Sequence, residues 1–205
     1  LALFSLDLGA AEDLGLPQRG PLPRKPITVQ PVLTYEVSQR REATSWRSWG
    51  GIQSDADASQ EKARIERELA EMKKGADFPL EILPLAAVPS VKEAAAVAQG
   101  DYDTMLVYAA GGGGDILHKL ITPEKFNLMF LRHDPGPAYM WYEVAHPHFL
   151  RKTVDEFDQT GLDLKDVVVD NPEELLWRFR ALHGLKNTLG KRIVAIGGAG
   201  GWGAG

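Results

Sequence analysis

The sequence predicts an α/β protein with a doubly wound, mostly parallel sheet of the Rossmann or flavodoxin-like type. Short apolar runs typical of fully buried strands alternate along the chain with amphipathic helical segments. Apolar residues make up 44% of the 205 residues and charged residues 25%, so the chain can cover a sheet on both faces. Ligands of such sheets bind at the carboxyl ends of the strands, which makes the loops after the strands the candidate sites.

Six strands are predicted from the apolar runs, and three helices lie between them. The first helix is capped by Ser54 or Asp55 and ends at Gly75, and the second runs from about Ser90 to Gly100. The first helix should bury one face, formed by Ala58, Ile65, Leu69 and Met72. The predicted strands are 32–35, 78–85, 103–110, 126–133, 165–170 and 191–196.

The third helix has the clearest start signal of the chain. Asn171 can cap it, Pro172 occupies its first position, and Glu174 follows at the spacing of a capping box. Its predicted apolar face consists of Leu175, Leu176, Phe179 and Leu182.

Composition divides the chain into three parts. Residues 1–31 form a proline-rich arm, because five prolines between residues 15 and 31 disfavour a helix. Residues 32–189 form the α/β domain. Residues 190–205 read as the first strand of a second α/β domain that is cut short, since the apolar run is followed by a glycine loop and no helix.

Charge and cysteine usage exclude several classes of function. A net charge of −5 with no run of five like charges argues against nucleic acid as a partner. The absence of cysteine excludes disulfides, thiolate catalysis and cysteine-ligated zinc. No apolar stretch approaches the roughly 20 residues of a membrane helix. We expect a cytoplasmic protein with no membrane contact, and the start "LALFSLDLGAA" leaves open a signal-peptide remnant.

The loop after the first strand carries arginines beside tryptophans. Arg40, Arg41 and Trp46 stand out, since guanidinium groups supply forked donors and an indole ring supplies a flat apolar wall. Such a set suits polyols, carboxylates or phosphates. The equally weighted alternative is a loop whose tryptophans pack on a neighbouring domain.

The loop after the third strand is a run of glycines. Four glycines allow the backbone to approach a ligand or to adopt positive φ, although a flexible linker is the alternative. The loop is not a Walker motif, because the Lys-Ser/Thr ending is missing. The predicted ligand-facing residues here are Gly111, Gly112, Gly113, Gly114 and Asp115.

Two further segments contain candidate motifs. Asp134, His146 and His148 could in principle meet a metal, but His-Pro-His is not a usual ligand spacing, so the composition favours an aromatic-rich domain or subunit boundary. Residues 198–203 spell G-x-G-x-x-G after a strand, which is the dinucleotide fingerprint. The helix and the acidic residue that would support this fingerprint are not in the sequence, and Trp202 is bulky for the helix start.

These segments together resemble the front part of the L-fucose/L-arabinose isomerase-like sugar isomerases. The resemblance rests on "SQRRE" after the first strand, the glycine turn after "MLVYAA", and "NTLGKRIVAIGGAGGW", and it covers residues 29–205. In that family an N-terminal α/β domain precedes a second one, whose start is similar to Gly190–Trp202. The long proline-rich arm departs from the family, as do glycines where a bulkier turn is usual.

The resemblance implies a role in the interconversion of aldoses and ketoses. The family uses a divalent metal, commonly manganese, bound by glutamate, aspartate and histidine in later domains. It therefore implies no catalytic residue, no metal ligand and no cofactor in this chain, which should be inactive alone. Arg40 or Arg41 would contact the hydroxyls of a monosaccharide, and Gly111–Asp115 would line the same cleft. Loops of this domain close over a sugar bound in a neighbouring subunit, which implies a homo-oligomer.

Two alternatives remain open at this stage. The chain could be a stand-alone module that binds a sugar or a small anion in the same cleft without chemistry. It could also be the front of a nicotinamide-dependent oxidoreductase that uses residues 198–203.

Overall fold

In the part of the chain that the structure describes, six strands form one sheet in which every neighbouring pair is parallel. A computed structural model describes residues 24–37, 42, 52–132 and 161–192. The strand order is β2-β1-β4-β5-β6, and β3 also pairs with β1, so the predicted α/β doubly wound class is confirmed. The strands are β1 (Ile27–Thr34), β2 (Leu80–Ile82), β3 (Ala86–Val88), β4 (Thr104–Ala109), β5 (Phe126–Leu131) and β6 (Val167–Val169).

Helices cover both faces of the sheet. One apolar core joins the strands to the first and last helices, and a second core joins them to the middle two. Adjacent strand residues alternate between these cores, as the pleat requires: Leu106 and Tyr108 belong to the first, Met105 and Val107 to the second. The helices are α1 (Asp55–Gly75), α2 (Val91–Ala98), α3 (Gly114–Leu120) and α4 (Pro172–Thr188). Among the described residues, no helix has the length and apolar character needed to cross a membrane.

The predicted helix starts are confirmed at three positions. The side chains of Ser54, Ser90 and Asn171 each accept a hydrogen bond from a backbone N–H in the first turn. The capping box predicted at Asn171 is not closed by Glu174, whose carboxylate accepts from Arg178 Nε at 3.0 Å. The predicted inward face of α1 is buried, as are Leu175 and Phe179 of α4. Helix α3 was not predicted.

Strand β1 begins at Ile27, five residues before the predicted start at Val32. The predicted boundary between 31 and 32 therefore falls inside a strand, and Pro31 is buried in the centre of the sheet. Proline lacks an N–H, so it is normally excluded from a strand with neighbours on both sides. Val29, two residues earlier, accepts from Leu83 N at 2.9 Å, so the backbone of Pro31 faces the same side.

A break in the neighbouring strand resolves this conflict. The predicted strand 78–85 is two strands, because β2 pairs with Ile27–Val29 and β3 pairs with Val32–Thr34. Between the paired residues β1 advances by three positions and its neighbour by four, which is the count of a β-bulge. The nitrogen of Pro31, which has no hydrogen to donate, faces this break. The side-chain amide of Gln30 spans the break, donating to Pro31 O at 2.9 Å and to Pro84 O at 3.0 Å.

A buried ion pair ties α1 to the end of β5. Arg132 is 6% exposed and donates from Nε to Glu61 at 2.8 Å. Its two terminal nitrogens donate to both oxygens of Glu68, at 3.1 and 2.6 Å. The guanidinium lies 5.2 Å from the centre of the Phe130 ring. This forked arrangement requires arginine, because lysine presents a single point charge.

We expect Arg132→Met to lower the free energy of unfolding by about 3–5 kcal/mol, because it leaves the buried Glu61 carboxylate without its main cation. Arg64 is the matched control, since it also contacts Glu61 and Glu68 but its side chain is 48% exposed. Arg64→Met should cost less than about 0.5 kcal/mol. Urea unfolding at pH 7 measures both, and equal losses would contradict a special role for the buried pair.

Candidate functional site

The strand order changes direction between β1 and β4. Strands β2 and β3 both pair with one side of β1, and β4, β5 and β6 follow in order on its other side. The last residues of β1 and β4 are register partners, Thr34 with Ala109. Loops that leave such a point diverge and open a crevice, which is where doubly wound sheets bind ligands. We name the loop starts Tyr35–Val37 and Ala110–Gly113 the switch-point cleft.

The two sides of the switch-point cleft lie close together at their start. An added Cβ on Gly111 would lie 3.5 Å from Glu36 N and 3.7 Å from Tyr35 Cα. Gly112 has φ of +93°, a conformation that side chains rarely adopt, and a Cβ there would lie 3.2 Å from Ile116 Cδ1. Glycine at 112 is thus required by the backbone conformation as well as by the space beside α3.

The structure places all five predicted residues of the glycine turn at this cleft. Gly113 is the N-cap of α3, with Gly114 and Asp115 in the first turn, so the run continues directly into a helix. The Asp115 side chain is exposed. Arg40, Arg41 and Trp46 lie outside the described residues. Their loop leaves β1 through Glu36, which is the point of contact with Gly111.

Thr34 is a residue that sequence reasoning missed at this site. It ends β1, is fully buried, and its Oγ1 has no hydrogen-bond partner. Its Cβ lies 3.9 Å from the position of an added Cβ on Gly112, so it packs beneath the glycine turn. A polar residue at the end of an apolar strand was the available signal. A buried hydroxyl without a partner costs roughly 1–3 kcal/mol, and Thr104 at the start of β4 carries the same feature.

A cavity of about 240 Å³ lies at the opposite edge of the sheet, beside the first residues of β5. Polar side chains in its lining are already bonded within the protein. Lys125 donates to Gly100 O and Tyr102 O, and Arg178 donates to Glu174 and to Lys165 O. The Asn127 amide nitrogen donates to three carbonyls. Its lining also includes Asn127 Oδ1, which is buried without a hydrogen-bond partner, and Trp177 and Ala181 of α4. We place the candidate site at the switch-point cleft because the strand order changes direction there.

The other predicted motifs remain predictions. Asp134, His146 and His148 lie outside the described residues, as does the glycine fingerprint at 198–203 and nearly all of the predicted strand 191–196. Within the ranges that the structure describes, no three histidine, aspartate or glutamate side chains come together to hold a metal ion.

Comparison with protein-family models, with curated protein sequences and with solved structures gives no match to this chain. The resemblance to sugar isomerases therefore rests on the sequence pattern alone.

Two buried tyrosines have altered acidity. Burial raises the pKa of Tyr102 to about 12. Burial, and then the nearby Glu68 carboxylate, raises the pKa of Tyr108 still further above its ordinary value. Tyr108 lies near the carboxyl end of β4, with its ring 5.4 Å from that of Phe130. Both phenols are therefore neutral at physiological pH and serve as packing groups.

We expect the free energy of unfolding to fall as pH rises from about 10 toward 12. Since the folded-state pKa values are raised, the unfolded chain releases these protons first, near pH 10. The tyrosine contribution is fully present below pH 10 and is lost as pH approaches the folded-state pKa. Urea unfolding at pH 9, 10 and 11 should give a shallower fall for Tyr102→Phe than for the wild type. If the free energy of unfolding fell equally with pH in both proteins, the raised pKa of Tyr102 would be refuted.

We expect Gly112→Ser to lower the free energy of unfolding by about 1–3 kcal/mol, because serine must adopt positive φ there. Gly113→Ser is the matched control, since Gly113 has φ of −71° and an added Cβ would meet nothing within 4 Å. Serine is also a favoured N-cap, so this neighbour should change stability by less than about 0.5 kcal/mol. Thermal unfolding compares the two variants. Equal losses of stability would show that the positive φ of Gly112 does not set the cost of a side chain in this turn.

Proposed function

We propose that this chain supplies the substrate-cleft loops of a sugar isomerase-like protein, and that the switch-point cleft contacts the hydroxyls of a monosaccharide. One observation supports the proposal: the loop that contains Arg40 and Arg41 leaves β1 beside Gly111, where an added Cβ would lie 3.5 Å from Glu36 N. Two loops that start 75 residues apart in sequence thus leave the sheet side by side, where this fold class binds ligands.

The chemistry of the cleft suits a polyol. A sugar presents many hydroxyls, each a donor and an acceptor, so its site needs both kinds of group. The exposed carboxylates of Glu36 and Asp115 supply acceptors next to the glycine turn. Arg40 and Arg41 supply donors from the same loop as Glu36. Trp46 supplies a flat apolar surface for the C–H face of the ring.

Binding is the role that we assign to this chain. Aldose–ketose isomerisation in the family depends on a divalent metal, which would polarise the substrate oxygens. The described residues include no three-ligand group that fits such an ion. Following the family, in which the metal ligands lie in later domains, we derive no chemical step here.

The test is isothermal titration calorimetry of the 205-residue chain with L-fucose and with L-arabinose. A separate titration with sulfate tests for anion binding. We expect sugar binding that the double change Arg40→Gln and Arg41→Gln weakens about tenfold or more, since a hydrogen bond to a charged group contributes about 1.5–3 kcal/mol. Arg67→Gln is the control, because Arg67 is an exposed arginine on α1.

The outcomes separate the candidate functions. Sugar binding that is lost in the double variant and kept in the control supports a substrate cleft. Binding of sulfate alone would replace the sugar proposal with a small-anion module. An absence of both would show that the switch-point cleft is not a binding site of this chain.

A further inference from the structure

The outward face of α4 carries an apolar strip. Trp177 is 62% exposed, Leu185 41% and Leu189 63%, and the exposed Ala181 lies between the first two. Trp177, Ala181 and Leu185 recur every four positions along one side of the helix, and Leu189 is the residue that caps its C-terminus. We name them the α4 strip.

The α4 strip is not needed to hold α4 on the sheet. The opposite side of the helix does this, with Leu175, Phe179 and His183 all buried. Scattered exposed apolar residues are ordinary, but a contiguous row that includes a tryptophan is typical of a contact surface. Tryptophan is also the residue type most enriched at the energetic centres of protein interfaces.

Beside Trp177, the same helix offers a hole of matching size. Ala181, Gly184, Leu185 and Thr188 surround one point of the surface, at the i, i+3, i+4, i+7 spacing that accepts a knob from a facing helix. Gly184 opens this hole, since an added Cβ there would meet nothing within 4 Å. One helix thus carries both a large knob and a shallow hole.

The knob and the hole match when two copies of α4 run antiparallel about a twofold axis at Ala181. Position 177 of one copy is then level with 185 of the other, which sets each Trp177 against the hole around Gly184. Small residues at the axis allow the two backbones to approach closely.

Charge at the ends of the helix fits the same arrangement. The first turn holds the exposed Glu173, and the exposed Lys191 and Arg192 follow the last turn. In the antiparallel pair the acidic start of each helix lies near the basic end of the other. A parallel pair would set like charges together, at a cost in both affinity and orientation.

We propose that the α4 strip docks on the same strip of a second copy of this chain, in an antiparallel, isologous helix pair with Ala181 on the axis. The knob, the hole and the end charges lie on one helix and complement each other when that helix is paired with itself. An unrelated partner would not require this self-complementarity, so a second copy is favoured. The inference is independent of the sugar proposal, because the strip lies on α4 and shares no residue with the switch-point cleft.

The absence of cysteine allows a direct test on the 205-residue chain. Ala181→Cys introduces the single thiol, and at the axis two such thiols should meet. We expect mild oxidation to give a covalent dimer at micromolar concentration. Ala70→Cys is the matched control, since Ala70 is exposed on α1, and it should stay largely monomeric.

Sedimentation of cysteine-free chains gives the second measurement. Trp177→Glu should raise the dimer dissociation constant by about thirtyfold or more, as expected for a central interface tryptophan. Because Trp177 is exposed, this variant should keep its fold, which circular dichroism checks. A monomeric wild type, equal cross-linking of the two cysteine variants, or a dimer unaffected by Trp177→Glu would each overturn the proposal.

Discussion

The rest of the sheet depends on how the backbone of strand β1 finds its hydrogen-bond partners. This strand has neighbours on both sides and helices over both faces, so each of its backbone groups must find a partner inside the protein. Pro31 cannot donate, and the neighbouring strand is interrupted at this point. The one-residue excess of that strand lets β3 rejoin β1 at Val32, in register with its last three residues. Thr34 thereby ends up at the carboxyl edge beside Ala109, where the cleft forms.

Arg132 with Glu61 and Glu68 fixes the end of β5 against α1, as the bulge fixes β3 against β1. Positions 128, 130 and 132 follow the alternation of the strand, so an arginine occupies the next inward position after Leu128 and Phe130. Two carboxylates of α1 meet it there, and the helix is fixed against the same edge of the sheet that carries the cleft. A buried pair is a costly way to gain stability, but its directional hydrogen bonds restrict how α1 can sit.

Much of the fold could be predicted because its signals are local. Serine and asparagine caps, a helical apolar face and short β-branched runs each depend on a few neighbouring residues, and the structure confirms them at Ser54, Ser90 and Asn171. The start of β1 could not be predicted, since the rule that excludes Pro31 is relieved only by a break about 50 residues away. Helix α3 was missed because it begins with glycine. At the site, the glycine turn could be found from composition, whereas Thr34 gains meaning only from the register of β1 and β4.

The break that accommodates Pro31 also protects an edge of the sheet. Strands β2 and β3 lie on the outer side of β1, where unpaired backbone groups could template the addition of a foreign strand. Each has three residues, and Pro84 between them has no N–H to offer. At the far end of the described strands, β6 is equally short. Among the described strands, neither edge presents the long flat ladder that amyloid-like growth requires, so the break that accommodates Pro31 also shortens the edge that a foreign strand could pair with.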